Sequence, residues 1–159
     1  MTSGPKPVHD QRHFRYLARR LLAAGQFGDN SLRESGVVGE ALEVLHPDRQ
    51  PHSWFVPVTV GDRLAAFLQF RPDGAFIRFS AFPRPTGGFE HCPSAVDWLD
   101  ASKIQARAAA AQQKPGETVG RPFLTYDNAP DRLVWAVPLT HAGQVRLLFV
   151  IGDYVYAAP

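Results

Sequence analysis

The motif WFVPVT at residues 54–59 recurs 81 residues later as WAVPLT at residues 135–140. A Val-Gly pair precedes each copy at the same distance, at residues 38–39 and again at 119–120, and six of the 22 aligned positions are identical. With one inserted residue, the alignment continues to Phe67 and Phe149. A repeat near half the chain length predicts two copies of one supersecondary unit. The pattern predicts an architecture and leaves the function open.

Each copy is predicted to contain a helix followed by an antiparallel meander. The first unit, residues 10–82, opens with Asp10 as a helix N-cap, continues with apolar residues at helical spacing and stops at Gly25. Residues 26–36 are rich in Gly, Asn, Asp and Ser, which predicts a loop. Four strands are expected after it, at 40–45, 53–60, 64–70 and 75–82.

A linker at residues 83–93 is predicted to separate the two units, because 83–88 is rich in Pro and Gly. The second unit, residues 94–159, has Ser94 or Asp100 as the N-cap of its helix. Its strands are expected at 122–126, 133–140, 145–151 and 154–157, with a two-residue turn at 152–153. Residues 1–9 contain Ser, Gly and Pro and are expected to form a flexible N-terminal tail.

The predicted fold class is therefore α+β, with two tandem helix-plus-antiparallel-meander units related by pseudo-two-fold symmetry. Units of about eighty residues bury too little surface to be more than marginally stable alone. The two units are thus expected to share a core.

The second unit resembles a PepSY-type domain, in the cystatin-like arrangement of a helix wrapped by a meander. The resemblance rests on residues 98–104 (WLDASKI), 119–120 (VG), 133–137 (LVWAV) and 149–155 (FVIGDYV). It implies a non-catalytic module, often inhibitory or interaction-forming, and it supplies no catalytic residue.

Composition and charge favour an ordinary globular protein. The chain has 159 residues, of which 45% are hydrophobic and 20% charged, and a formal net charge of +2. That charge is too small to indicate a polyanion as partner, so nucleic-acid binding is not expected as the main function. Cys92, as the sole cysteine, permits no internal disulfide. The N-terminal apolar stretch, residues 21–24, is too short for a secretory signal, which predicts a cytoplasmic protein. No apolar run reaches about eighteen residues, so no membrane partner is expected.

Cys92 is the weak candidate for a catalytic residue. It lies beside His91 and shortly before a predicted helix, where a thiolate would be stabilised and more nucleophilic. Neighbouring residues usually point in different directions, however, and Glu90 opposes a thiolate. An inert linker thiol is the alternative, so no catalytic residue is predicted.

Aromatic residues supply the candidate partner surface. Trp54 and Trp135 occupy equivalent strand positions, either as core anchors or as the walls of two related grooves. Phe76 and Phe82 belong to a hairpin with apolar residues on both faces. One face should cover the first helix, and the other should meet the second unit, a second chain or a ligand.

The first helix carries a basic face formed by Arg12, Arg15 and Arg19, with Arg20 nearby. It is either a solvated helix surface or a site for phosphate or acidic groups. The pairs His46 with His52 and His91 with Cys92 do not match the spacing of a four-ligand zinc site. No metal and no cofactor are therefore predicted.

The function expected from these features is that of a non-catalytic protein-binding or regulatory module, with a protein partner or a homodimer. One alternative is a small-molecule-binding or enzymatic pocket between helix and sheet. A further alternative is weak nucleic-acid binding through the basic face of the first helix.

Overall fold

One mixed sheet dominates the computed structural model, which describes residues 9–159. Its ten strands in this range are β1 (Val37–Val38), β2 (Leu42–Leu45), β3 (Pro51–Val60), β4 (Arg63–Phe70), β5 (Phe76–Ala81), β6 (Thr118–Val119), β7 (Phe123–Tyr126), β8 (Leu133–His141), β9 (Gln144–Ile151) and β10 (Tyr154–Ala157). The strand order is β10-β9-β8-β7-β2-β3-β4-β5, with β1 also pairing with β3 and β6 with β8. All pairs are antiparallel except β2 with β7. The predicted α+β class with an antiparallel meander in each half of the chain is confirmed at this level.

The helices begin at capped residues, as the sequence predicts. They are α1 (Gln11–Ala23), α2 (Asn30–Ser35), α3 (Ala95–Leu99) and α4 (Ala101–Gln112). The Asp10 side chain accepts a hydrogen bond from the His13 backbone N–H at the start of α1. Ser94 and Asp100 were alternative caps for one helix, and both are used, Ser94 for α3 and Asp100 for α4. None of the helices in the described part of the chain is long and apolar enough to cross a membrane.

The helix α2 lies inside the segment that was predicted to be a loop, so that prediction is wrong. The Asp29 side chain caps the helix by accepting from the Leu32 N–H at 2.9 Å. Leu32 itself is buried in the cluster beneath α1. A cap and one buried contact therefore outweigh the loop-like composition.

The strand predictions agree with the structure to within two residues at each end, apart from the extra short strands β1 and β6. The predicted two-residue turn is present, since Ile151 pairs with Tyr154 and Gly152 has a positive φ of 55°. The predicted tail, residues 1–9, lies outside the described residues except for His9.

The sequence alignment makes Phe67 equivalent to Phe149, but the strand pairing in the two long hairpins makes a different residue equivalent to Phe67. Phe67 lies opposite Pro57, whereas Leu147 lies opposite the corresponding Pro138. The β3–β4 pairing shifts register between Val58 and Thr59, and the β8–β9 pairing does not. The bulge adds a residue to the first hairpin, so Leu147 takes the position that corresponds to Phe67.

The helices cover opposite faces of the sheet. Val56 and Val58 of β3 join the core cluster beneath α1, which includes Phe14, Ala18 and Leu22. Phe55, which directly precedes Val56 in the strand, joins the cluster that contains Ile104 and Ala108 of α4. Successive side chains of a strand point to opposite faces, so α1 and α4 lie on different sides.

The core beneath α3 and α4 takes residues from both halves of the sheet. It combines Phe55 and Leu64 with Val137 and Leu148. The Trp98 ring of α3 stacks on Phe55, with centroids 5.5 Å apart and an angle of 12° between the rings. The expectation of a shared core is therefore met on this face.

Truncation of Ile104 should measure the contribution of this core. Ile104→Ala is expected to lower the free energy of unfolding by about 2–5 kcal/mol, because it removes buried methyl groups and leaves a cavity. Val96→Ala, at an exposed helix position, is the matched control and should change it by less than about 0.5 kcal/mol. Urea unfolding followed by circular dichroism measures both. Equal effects of the two substitutions would contradict this description of the core.

Candidate functional site

A cleft of about 330 Å³ lies between β5 and the turn that joins β7 to β8. Its lining is mostly aromatic and aliphatic, with several polar residues, and includes Phe67, Phe82, Trp98, Leu133, Arg78, Ser80, Asp131 and Arg132. Small-molecule sites commonly combine apolar walls with a few polar groups. The cleft is therefore a candidate site for a small molecule.

A chain of hydrogen bonds runs across the sheet to this cleft. Arg78 Nε donates to Gln69 Oε1 at 2.9 Å, and Gln69 Nε2 donates to Ser53 Oγ at 2.7 Å. Both Ser53 and Gln69 are buried. Ser53 Oγ in turn lies 2.8 Å from Nδ1 of His52. Since buried side-chain hydrogen bonds restrict rotamers, this chain fixes the orientation of the Arg78 guanidinium.

The guanidinium of Arg78 is half-buried and lies over an aromatic ring. Its carbon is 5.0 Å from the centroid of Phe67, and its NH2 group donates to the backbone carbonyl of Asp131 at 3.1 Å. Burial lowers the pKa of Arg78, and the charge of Asp131 opposes that shift. An arginine stays protonated at physiological pH, so the cleft holds a fixed positive charge.

A second polar cluster lies where β2 and β7 end. His46 Nδ1 is hydrogen-bonded to the hydroxyl of Tyr126, and the His46 and His52 rings meet edge to face with centroids 4.8 Å apart. Ser53 Oγ, which accepts from Gln69, is thus also within hydrogen-bond distance of Nδ1 of His52. Burial lowers the pKa of His52, and the nearby His46 lowers it further.

The pKa of His52 predicts a loss of stability in mild acid. Its folded pKa lies below the ordinary value of 6.5, so the unfolded chain binds the proton more readily. The free energy of unfolding should fall as the pH drops through 6.5 towards the lower folded pKa. Urea unfolding at a series of pH values between about 5 and 8 measures the dependence.

The matched variants separate His52 from the other histidines. His52→Gln should flatten the dependence of unfolding free energy on pH, and the exposed His141→Gln should leave it as in the wild type. His46 faces His52 and is varied in the same series, as His46→Gln, because its charge acts on the same cluster. An unchanged pH profile in His52→Gln would show that His52 does not carry the effect.

The tryptophans of the repeated motif have different surroundings. Trp54 is half-buried and stacks on Phe14 of α1, with centroids 5.0 Å apart. Trp135 is only 7% exposed, and its Nε1 donates to the backbone carbonyl of Trp98 at 2.8 Å. Packing by the neighbouring helices therefore covers most of Trp135 and leaves Trp54 half-buried, and a partner surface at these rings stays a prediction.

Phe76 and Phe82 lie at the two ends of β5. Phe76 is 38% exposed and contacts Phe27, with ring centroids 5.0 Å apart. Phe82 is half-buried, packs against both large core clusters and lines the cleft. Of the residues predicted to form a partner surface, Phe76 thus has the largest exposed fraction.

The basic face of α1 is partly used within the chain. Arg15 Nε donates to the carbonyl of Val38 at 3.1 Å. Arg20 lies 5.7 Å from the centroid of the Tyr16 ring on the same helix. Arg12 and Arg19 are exposed.

Cys92 does not lie in an environment that activates a thiol. It is 1% exposed, and burial raises its pKa, although Arg84 and Arg63 act in the opposite direction. A buried, protonated thiol is a poor nucleophile. Within residues 9–159, no group of three or more His, Cys, Asp or Glu residues could hold a metal ion.

The thiol of Cys92 should react slowly in the native protein. Iodoacetamide labelling, followed by mass spectrometry across pH 6 to 9, is expected to be many times slower without urea than in about 8 M urea. The reason is that attack requires both exposure and a thiolate. A fast native reaction with a midpoint below pH 8 would restore Cys92 as a candidate nucleophile.

No protein-family model, curated protein or solved structure matches this chain. Function therefore has to be inferred from the arrangement of the residues.

Sequence patterns missed the residues that the sheet brings together at the cleft. Gln69 is the one uncharged polar residue of the strand RLAAFLQF, and Arg78 interrupts the apolar run of FIRFSA. A polar residue in a buried strand needs a partner, and that was the available signal. The partner itself could not be found without the pairing of Gln69 with Arg78 across β4 and β5.

Proposed function

We propose that the protein is a non-catalytic protein-binding module that adds an extended segment of a partner to the open edge at β5. Among the described strands, β5 pairs with β4 alone. Its residues Phe76 and Ile77 are 38% and 42% exposed. An open edge strand with exposed apolar residues is the observation that carries this proposal, since such edges pair readily with another chain.

The hydrogen-bond pattern of β5 supports strand addition. The N–H of Phe82 donates to the carbonyl of Ala65. Every second residue of a strand directs its backbone groups to the same side, so Ser80 and Arg78 also direct theirs towards β4. Because the direction alternates along a strand, Phe79 and Ala81 direct theirs to the open side. A partner segment would gain main-chain bonds there and side-chain contacts with Phe76 and Ile77.

The proposed architecture is that of two tandem units, residues 10–82 and 94–159, related by a pseudo-two-fold axis. Equivalent pairs support it: Val38 lies opposite Val58 in β1–β3, and Val119 lies opposite Leu139 in β6–β8. The N–H of Gly39 donates to Pro57 O at 2.9 Å, and that of Gly120 donates to Pro138 O at 2.7 Å.

The relation of the two halves across the sheet fits the same axis. The central strands β2 and β7 are parallel, with Val44 opposite Leu124. A two-fold axis between β2 and β7, parallel to both strands, would superpose one strand on the other without reversing its direction. The same rotation would move a helix from one face of the sheet to the other, and α1 and α4 do lie on opposite faces. A helix followed by an antiparallel meander in each half also supports the PepSY-like and cystatin-like resemblance.

The alternative functions have less support. An enzymatic pocket lacks a nucleophile, because Cys92 is buried and its pKa is raised. Nucleic-acid binding through α1 is weakened by the internal bond of Arg15. A cytoplasmic location stays a prediction.

Charge placed at the open edge should abolish the proposed binding. Ile77→Lys is expected to reduce partner capture at least tenfold, because a lysine on the edge must be desolvated when another strand is added. Tyr154→Lys, on the edge strand β10 at the other end of the sheet, is the matched control and should capture as the wild type does, since it leaves the edge at β5 unchanged. Tagged proteins are compared by pull-down from source-cell lysate at low and high salt.

Light scattering of the same three proteins distinguishes a second copy of this chain from another partner. A dimer of the wild type that Ile77→Lys dissociates would identify the partner as a second copy. A wild type that stays monomeric and retains no stoichiometric protein at high salt would contradict the proposal. So would a partner that all three proteins retain equally.

A further inference from the structure

The cleft beside β5 contains a guanidinium without a carboxylate partner. Two other half-buried arginines each form a close ion pair, Arg84 with Asp29 at 2.7 Å and Arg146 with Glu117 at 2.8 Å. Arg78 forms none within 4.0 Å among the described residues. Its bonds are to the Gln69 amide and to the Asp131 backbone carbonyl. Burial of a charged group is unfavourable, and the nearby charge of Asp131 only partly offsets the cost for Arg78, so Arg78 can accept a further anion.

The orientation of Arg78 is fixed before any ligand arrives. A guanidinium has five N–H donors, and the bonds to Gln69 and Asp131 use two of them. The buried Ser53 and Gln69 hold the guanidinium on one side, and the Phe67 ring lies 5.0 Å from its carbon. The remaining donors can form the paired bonds with which arginine binds a carboxylate. Little side-chain entropy remains to be lost on binding.

The charges around the cleft favour a single negative charge on the ligand. Asp127 accepts a hydrogen bond from the Tyr156 hydroxyl at 2.6 Å, and Asp131 is exposed at the rim. Arg132 also lines the cleft. Two guanidiniums and two carboxylates line the cleft, so a dianion such as a phosphate monoester would place more negative charge beside the carboxylates than a single carboxylate does. A monocarboxylate satisfies Arg78 with the least repulsion.

The walls favour an apolar group next to that carboxylate. Phe67, Phe82 and Trp98 supply aromatic surface, and Leu133 and Ile151 add aliphatic surface. The volume of about 330 Å³ lies at the lower end of the range for small-ligand sites. It suits a body of the size of a phenyl ring or a branched alkyl chain.

We infer that this cleft binds a small organic monocarboxylate with an apolar body, its carboxylate on Arg78 and its body between Phe67, Phe82 and Trp98. This site adjoins the open edge proposed to bind a partner, since Arg78 and Ser80 belong to β5, but its test needs no partner protein. The carboxylate can belong to a free acid or to the C-terminus of a short peptide, since both present the same chemistry.

Binding is measured by isothermal titration calorimetry with phenylacetate, 4-methylpentanoate and indole-3-acetate, each compared with its neutral amide. At least one acid should bind saturably to one site, and its amide should bind at least tenfold more weakly, because it lacks the charge that Arg78 recognises. A peptide ending in Phe, with a free or an amidated C-terminus, tests the second source. Tighter binding of the free peptide than of the acids would assign the carboxylate to a chain end.

Variants of the cleft locate the binding. Arg78→Gln and Arg78→Lys should each weaken the acid at least tenfold, and Arg71→Gln, outside the cleft, should not. Ser80→Phe narrows the cleft without removing the hydrogen-bond chain, so it keeps the test valid if the Arg78 variants do not fold. Circular dichroism identifies the folded variants.

Three outcomes would overturn the inference. The first is the absence of saturable binding by every acid and by the free peptide. The second is equal affinity for an acid and its amide. The third is wild-type affinity in folded Arg78→Gln and Ser80→Phe proteins.

Discussion

The parallel pairing of β2 with β7 is the interaction on which the rest of the structure depends. It joins two antiparallel halves into one sheet. One half consists of β2, β3, β4 and β5, and the other of β7, β8, β9 and β10. The paired region is short, with Val44 opposite Leu124. Burial of apolar side chains therefore adds the stability that so few hydrogen bonds do not provide. Both residues belong to the core cluster beneath α3 and α4, where Trp98 stacks on Phe55 of the other half. A sheet divided at this pair would expose that core, since neither half has enough apolar surface to bury alone.

The same junction begins the polar path across the sheet. His46 of the β2 end is hydrogen-bonded to Tyr126 of the β7 end, and its ring meets His52. From His52 the bonds lead through Ser53 and Gln69 to Arg78 at the cleft. Polar groups in a core are tolerated when each has a partner, and such a chain specifies one arrangement of side chains. A chain of hydrogen-bonding side chains therefore links His52 to Arg78.

Local signals in the sequence were sufficient to predict most of the helices, strands and turns. Asp10 and Gly25 bound α1, and Gly152 marks the last turn, because caps and turns depend on only a few neighbouring residues. Composition alone failed for α2, where the cap of Asp29 and the burial of Leu32 decide the conformation. The repeated tryptophans were recognised as equivalent in sequence. Their burial by α1 on one face and by α3 on the other was not fixed by the motif.

The sequence by itself determined the α+β class and the positions of the two long helices α1 and α4 and of the long strands. These depend on spacing and residue type over short distances. Only the tertiary structure decided that β2 and β7 join the halves, that β5 is left at an edge, and that Arg78 lies in a cleft with Asp131, 53 residues away. The physical reason is that strand order and long-range burial select among many pairings that the local pattern permits equally.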